Sequence, residues 1–442
     1  MFSPLGRGAM VFLAVVGLIA VRAAWQAARS RGQGAPSASV VDYLSARAGA
    51  AGFARATGPA AITFPADAGP HPAYQTEWWY YTGNLAVIEG GSMPDGVEST
   101  ASSRPGHDDG GRRLGFQLTF FRRALAPPAE VSARASAWAT EQIYLAHFTV
   151  TDVAAGTFHS SERLARGAAG LAGAQADPFQ VWVETWSAAA QVDGRPVAEG
   201  GPAVVDPGKM GVDGPMGPTT RLRAADGQVA IDLALRQAKP PALHGERGFS
   251  PKGPERGDAS YYYSYPRLKA SGVITTAAGA FPVAGAAWMD HEWSTGALAA
   301  GLTGWDWFSL QLDDGRELML FHLREQGGGV AAESAGSLIG PDGTVSPLRR
   351  GDFAIEPRGT WTSPRTAGVY PSGWRVVVPG AGLDLGVEPL VRDQELDVGF
   401  KYWEGAVRVT ATSNGRPVAG YGYVELTGYA PSASGGVVPG GS

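Results

Sequence analysis

An internal repeat constrains the fold of this chain more than any other feature. TEWWYYTGNL, from Thr76, resembles TGWDWFSLQL, from Thr303, with Trp79 set against Trp307. RRLGFQLTFFR resembles RELMLFHLR and places Arg122 on Arg324, while VAIDLALRQ parallels AGLDLGVEP. FPVAGAAWMDHEW aligns with RPVAGYGYVELTG, which sets Trp288 on Tyr423 and Asp290 on Glu425. Any single match is within chance. Their common order, with length differences confined to Gly/Pro-rich loops, points to duplication of one β domain. The matched segments are rich in Trp, Tyr and Val and are joined by turn signals such as Asp226-Gly227 and Asp314-Gly315, so they read as hairpin strands. With roughly eight strands per half, the chain is expected to be all-β: two consecutive up-and-down barrels, each closing its own edges and able to hold one small apolar ligand.

The domain limits follow from this pattern. The first barrel is expected over 61–295 and the second over 303–430, joined by the small-residue connector STGALAAGLT. Within the first, PFQVWVETWS reads as one strand. Residues 31–60 read as a linker and 431–442 as a flexible tail. In the first thirty residues, Arg7 precedes an apolar run from Ala9 to Val21, followed by an Ala-rich stretch. That run is short for a membrane span and suits a signal peptide or, if uncleaved, an N-terminal anchor. Either reading places the folded part in the periplasm or outside the cell. A formal net charge of −5 gives no basic face for nucleic acid, and with no cysteine there is no disulfide framework, thiol nucleophile or thiolate metal site.

The chemistry concentrates between Ala287 and Leu323. Asp290, His291 and Glu292 lie among Trp288, Trp293, Trp305 and Trp307, a poorly solvated setting in which pKa values move and apolar ligands bind. If Asp313 pairs with Arg316, the hairpin sets Trp307 opposite His322, Trp305 opposite Arg324 and Phe308 opposite Phe321. Asp290 reads either as an acid or as a structural tie between the halves. Glu77 reads as a second acid or base, or as a buried partner of Arg122 or Arg123. Trp79 reads as a barrel plug or a ligand contact, and His147 as a core histidine or a cavity residue. No ligand spacing supports a metal site, no cofactor is expected, and there is no GxSxG elbow.

HPAYQTEWWYYTGNL, GFQLTFFRR, LAHFTVTD, YYYSYPRL, AAWMDHEWST and GWDWFSLQLDDGREL together resemble the AttH/CrtC family over about residues 71–430. The resemblance implies two lipocalin-like barrels. It also implies kinship with carotenoid 1,2-hydratase, which adds water to an alkene without a cofactor. Asp290, His291 and Trp293 keep the Asp, His and Trp positions of that enzyme's pattern. Glu292 and Met289 depart from it and bring the chain nearer the secreted AttH-type branch. The expected activity is a cofactor-independent hydro-lyase on an apolar, isoprenoid-type ligand. Asp290 would be the acid and His291 the base, in a pocket of Trp288, Trp293, Trp305, Trp307, Tyr262, Glu77, Trp79 and His147. The alternative is a non-catalytic carrier of a lipidic ligand, associated with the membrane or with an ABC-transporter permease.

Overall fold

The TEWWYY strand cannot alternate cleanly between apolar and polar residues, because both of its faces are buried. That double burial organises the computed structural model, which describes residues 51–88, 111–130, 140–191, 218–296, 299 and 301–431. The expected signal segment, most of the linker, the tail after 431 and two long Gly/Pro-rich loops lie outside the described residues.

Among the described residues the chain is built from antiparallel strands, with short 3-10 turns and no α-helix. The first sheet begins with β1 (Thr76–Val87), β2 (Arg113–Ala124), β3 (Gln142–Asp152), β4 (Thr157–Arg166), β5 (Ala172–Ala176), β6 (Phe179–Val183) and β7 (Trp186–Ala190). It continues through β8 (Thr220–Asp226), β9 (Val229–Gln237), β10 (Ala242–Leu243), β11 (Phe249–Pro251), β12 (Ala259–Thr276) and β13 (Gly279–Ser294). Its order is β4-β3-β2-β1-β13-β12-β9-β8-β7-β6-β5, with β10 and β11 on β12. The chain then passes through β14 (Leu302–Leu312), β15 (Glu317–Glu325), β16 (Ala335–Ile339), β17 (Val345–Arg349) and β18 (Ala354–Pro357). A side ribbon of β19 (Thr360–Thr362) and β20 (Val369–Pro371) precedes β21 (Trp374–Val378), β22 (Leu383–Pro389), β23 (Tyr402–Ser413) and β24 (Arg416–Thr427). The second sheet runs β17-β16-β15-β14-β24-β23-β22-β21-β18.

The duplication is visible as topology: β2-β1-β13-β12-β9-β8 recurs as β15-β14-β24-β23-β22-β21. Tyr80 lies opposite Asp290 and Trp307 opposite Glu425. With Asp290 on Glu425, it is therefore Tyr80, and not Trp79, that corresponds to Trp307. Arg122 still falls on Arg324, since their partners Glu77 and Gly304 keep the same spacing.

The first sheet is a nearly closed barrel and the second a half-barrel, with more strands than the eight expected of each. One reason is that PFQVWVETWS is two strands. The chain turns at Glu184, whose φ of 55° is left-handed, and β6 pairs back onto β7. Across the gap between β4 and the far end of the sheet, Arg163 donates to Thr185 at 2.8 Å and lies over the Trp186 ring. Residues 51–60, expected in the linker, pack on the barrel instead: Phe53 and Ala56 are buried, and Gly58 O accepts from the Tyr261 hydroxyl at 3.0 Å.

The hairpin register also differs from expectation by one residue. Leu312 N–H donates to Arg316 O at 2.9 Å, leaving a three-residue loop, Asp313-Asp314-Gly315, with Gly315 at φ +85°. Trp307 therefore lies opposite Phe321, Trp305 opposite Leu323 and Asp306 opposite His322. Because strand side chains alternate, this slip exchanges the faces of every partner on β15.

The apolar residues collect into one core inside each sheet and a third between them. Tyr80, Tyr262, Trp288, Trp307, Phe321 and Tyr423 make up much of this third core, the seam where the β1/β13 face meets the β14/β24 face.

Candidate functional site

Successive side chains on a strand point to opposite faces. On β13, Trp288, Asp290 and Glu292 face the seam, whereas Met289, His291 and Trp293 face the interior of the first barrel. The same alternation sends Trp78, Tyr80 and Tyr262 to the seam and Glu77, Trp79 and Tyr263 inward. Asp290 and His291 are neighbours in sequence but belong to different sites.

The seam contains a pocket of about 80 Å³. Its apolar walls are Trp78, Phe121, Trp305, Trp307, Phe321 and Leu323; Tyr80, Tyr262, Tyr402, Lys252, Asp290, Glu292 and Glu425 supply polar groups. Asp290 is buried and held from three sides. Tyr262 Oη donates to Oδ2 at 2.7 Å, Trp288 Nε1 donates to Oδ1 at 2.6 Å, and Ser264 Oγ also bonds Oδ1. Trp307 Nε1 in turn donates to the Tyr262 hydroxyl at 3.0 Å, so the second sheet props up the acid of the first. Burial pushes the Asp290 carboxyl up to about 7 against these three hydrogen bonds, helped by the nearby charge of Glu292. Glu292 is itself 3.4 Å from Lys252, whose ammonium lies over the Phe321 ring.

The second sheet contributes a carboxyl pair, Glu404 opposite Glu425 on β23 and β24. Glu404 accepts from the Tyr80 hydroxyl through Oε1, while its buried Oε2 meets no donor. A proton belongs on that oxygen: burial and the adjoining Glu425 charge hold Glu404 far above the usual carboxylate range. Glu425 accepts from Trp305 Nε1 and from protonated Glu404. Burial still raises it to about 7, with the charges of Asp290 and Glu292 adding to the rise. Two carboxyls sharing one proton in a dry site form an acid–base dyad.

The other candidates lie elsewhere. His291 is inside the first barrel, its Nε2 2.8 Å from Glu77 Oε1, its Nδ1 3.1 Å from the Tyr263 hydroxyl and its ring stacked on Trp79. Glu77 is the buried partner of Arg122 at 2.8 Å and also receives His71 Nδ1 at 2.7 Å. Burial disfavours its charge, but Arg122 and the two imidazoles hold it well below the ordinary range. Glu77, His71 and His291 converge closely enough to suggest a metal site. Arg122 Nε and the His71 backbone N–H donate to Glu77 Oε2, and the two imidazole nitrogens meet Oε1, so as it stands the cluster is a hydrogen-bonded lock. Trp79 donates to Ala68 O and is fully buried in the first core, and Trp293 stacks on His71 at 3.7 Å. His147 lies behind the pocket wall, 2.7 Å from the Tyr402 hydroxyl. Of the expected site residues, Asp290, Tyr262, Trp305 and Trp307 line the pocket and Trp288 supports it. His291, Trp293, Glu77, Trp79 and His147 do not reach it.

The sequence alone does not single out Glu404, Tyr80, Tyr402 or Glu425 as site residues. Two signals were available: the repeat placed Glu425 on Asp290, and YWEGAV carries a lone glutamate inside an apolar strand.

The fold and the seam define a two-sheet lipocalin-like protein with an acidic, aromatic-walled site between its sheets. The AttH-like family model matches residues 106–429. A crystal structure of a protein described as an AttH from Nitrosomonas europaea is 32% identical, with a TM-score of 0.67, covering 86% of this chain and all of that one. The chain belongs to the AttH-like family. Kievitone hydratase from Nectria haematococca shares the fold at 13% identity, with a TM-score of 0.56 over 85% of this chain and 98% of that one. Among proteins with curated descriptions none matches.

Proposed function

We propose that the chain is a cofactor-independent hydro-lyase acting on an alkene in an apolar, isoprenoid-type ligand. The observation that carries this reading is the pair of buried carboxyls, Asp290 and Glu425, meeting at one aromatic pocket with proton affinities near neutrality, with neutral Glu404 behind Glu425. Groups poised near the working pH are the effective general acids and bases. Protonated Asp290 delivers its proton to one alkene carbon, and the π pair becomes the new C–H bond. The indole faces of Trp305 and Trp307 stabilise the cation left on the other carbon, by up to about 2 kcal/mol each when dry. Water adds to that carbon and gives up a proton to ionised Glu425. The resting state returns when this proton passes back to Asp290 through water in the pocket. The base is thus Glu425, because His291 points into a different compartment. The fold is shared with a protein described as a hydratase, which supports the class of reaction and leaves the ligand open. We place the protein outside the cytoplasm on the strength of its apolar N-terminal run alone.

The test is incubation with terpenoid and prenylated alkenes in ¹⁸O-labelled water. The expected product carries one labelled hydroxyl, and Asp290→Asn and Glu425→Gln each abolish its formation while binding changes less than about threefold. Tight binding without label in any product would instead favour the carrier reading, with a membrane or transporter partner.

A further inference from the structure

Behind Asp290 runs a chain of buried groups that the hydration chemistry does not use. Ser264 faces Asp290 across the β12/β13 ladder, and its Oγ bonds Oδ1. On its other side Ser264 Oγ lies 2.6 Å from His244 Nε2, and His244 Nδ1 lies 2.9 Å from Ser337 Oγ on β16 of the second sheet. His244 follows β10, and its backbone N–H donates to Tyr262 O at 3.1 Å, which fixes the ring behind the acid. His244, Ser264 and Ser337 are all buried.

We propose that His244 is a positioning residue: through Ser264 it decides whether Asp290 holds a proton, and so whether the seam presents an acid or a carboxylate. Trp288 Nε1 can only donate, and Tyr262 receives the Trp307 N–H and points its own hydrogen at Oδ2. The proton of neutral Asp290 therefore rests on Oδ1, directed at Ser264 Oγ, and turns into the pocket when the acid delivers it. Ser264 can accept it only by turning its hydrogen to His244 Nε2, which requires the tautomer with hydrogen on Nδ1, donating to Ser337. When Asp290 is ionised the pattern reverses: Nε2 carries the hydrogen, Ser264 receives it and donates to Oδ1. His244 selects between these states without storing a proton. Burial, with Lys252 adding to it, holds its pKa down to about 3. The other titratable groups facing the chain are Lys252 and Tyr262 beside His244, and Tyr262, Glu292, Glu425 and Tyr80 around Asp290.

The proposal deepens the acid role given to Asp290, but its test needs no turnover. In the full chain labelled with ¹⁵N-histidine and with ¹³C at the aspartate carboxyls, His244→Phe and Asp290→Asn assign the two signals. As the pH carries wild-type Asp290 through its transition, His244 Nε2 should move from an unprotonated to a protonated shift. In Ser264→Ala, Asp290 should still titrate while the His244 shifts stay flat. In His244→Phe, Ser264 is free to donate, and the Asp290 midpoint should fall by a unit or more, a tenfold change in proton affinity. His244→Gln, whose amide oxygen can accept from Ser264, should restore part of that fall. Wild-type His244 shifts that ignore the Asp290 transition, or a His244→Phe midpoint equal to wild type, would overturn the proposal. If His244→Phe does not fold, the comparison of wild type with Ser264→Ala decides. A measured coupling in a protein that hydrates no alkene would remove the proposed activity and leave this inference standing. Turnover lost in Asp290→Asn without any coupling would do the reverse.

Discussion

Asp290 binds its proton more tightly in the folded chain than in the unfolded one, despite three hydrogen bonds to its oxygens. The desolvation cost of a buried charge exceeds what they return. A carboxyl with a raised folded pKa contributes stability that is fully present below about 4, its unfolded value, and is lost as the pH rises through about 7. Asp290→Asn removes that dependence. Measured by urea unfolding, the variant should gain roughly 2–4 kcal/mol on wild type between pH 4 and pH 8. A constant difference would show that Asp290 is already ionised in the folded chain. Glu404 follows the same rule: burial and the adjoining Glu425 charge favour its neutral form. Glu404→Leu removes the neutral donor toward Glu425, so the Glu425 midpoint, followed by carboxyl NMR, should rise by about a unit, whereas Glu404→Gln, which keeps a donor, should leave it near wild type. At this scale the sequence exposed composition but not direction. MDHEW announced an acid and an imidazole, and only the strand's alternation, once its register was known, showed that they face opposite ways.

At the scale of the element, the end of the first barrel rests on the Glu77 lock. Removing one partner of a buried ion pair leaves an uncompensated charge, so Arg122→Met should cost about 3–5 kcal/mol in chemical denaturation. Glu77→Gln with Arg122→Met should recover much of that loss; a single variant as stable as wild type would show that the pair is dispensable. The β14–β15 hairpin depends on Gly315 at φ +85°, and Gly315→Ala should cost about 1 kcal/mol or more. The Glu77–Arg122 pair was readable from adjacent strands. The hairpin register was not, because Asp313-Asp314-Gly315 suits a two-residue or a three-residue loop and the strands are apolar on both faces. With no solvent face to mark the alternation, one register looks like the other.

For the whole molecule, the seam is a third core, threaded with polar contacts. Asn84 Nδ2 donates to Gly422 O at 2.8 Å, and Gln311 Nε2 donates to Pro266 O and Ala287 O. Lys239 and Arg267, from the first half, both pair with Glu317 of the second. Neither sheet can leave the other without exposing these groups, so the described residues should unfold in a single transition by tryptophan fluorescence and by far-ultraviolet circular dichroism alike. Two separated transitions would mean that the sheets are independent domains. The repeat in the sequence made the doubled architecture legible. It could not show that the two copies meet through their Asp290 and Glu425 faces, because that meeting depends on the outward side chains of strands that seemed to belong to one barrel each.

The seam's defining property is an uncharged carboxylic acid beside indole rings at near-neutral pH. Difference infrared spectroscopy of wild type against Asp290→Asn at pH 6 reads it directly. A protonated-carboxyl stretch present in wild type and missing from the variant is the expected result. A difference spectrum showing only an ionised carboxylate would contradict the account.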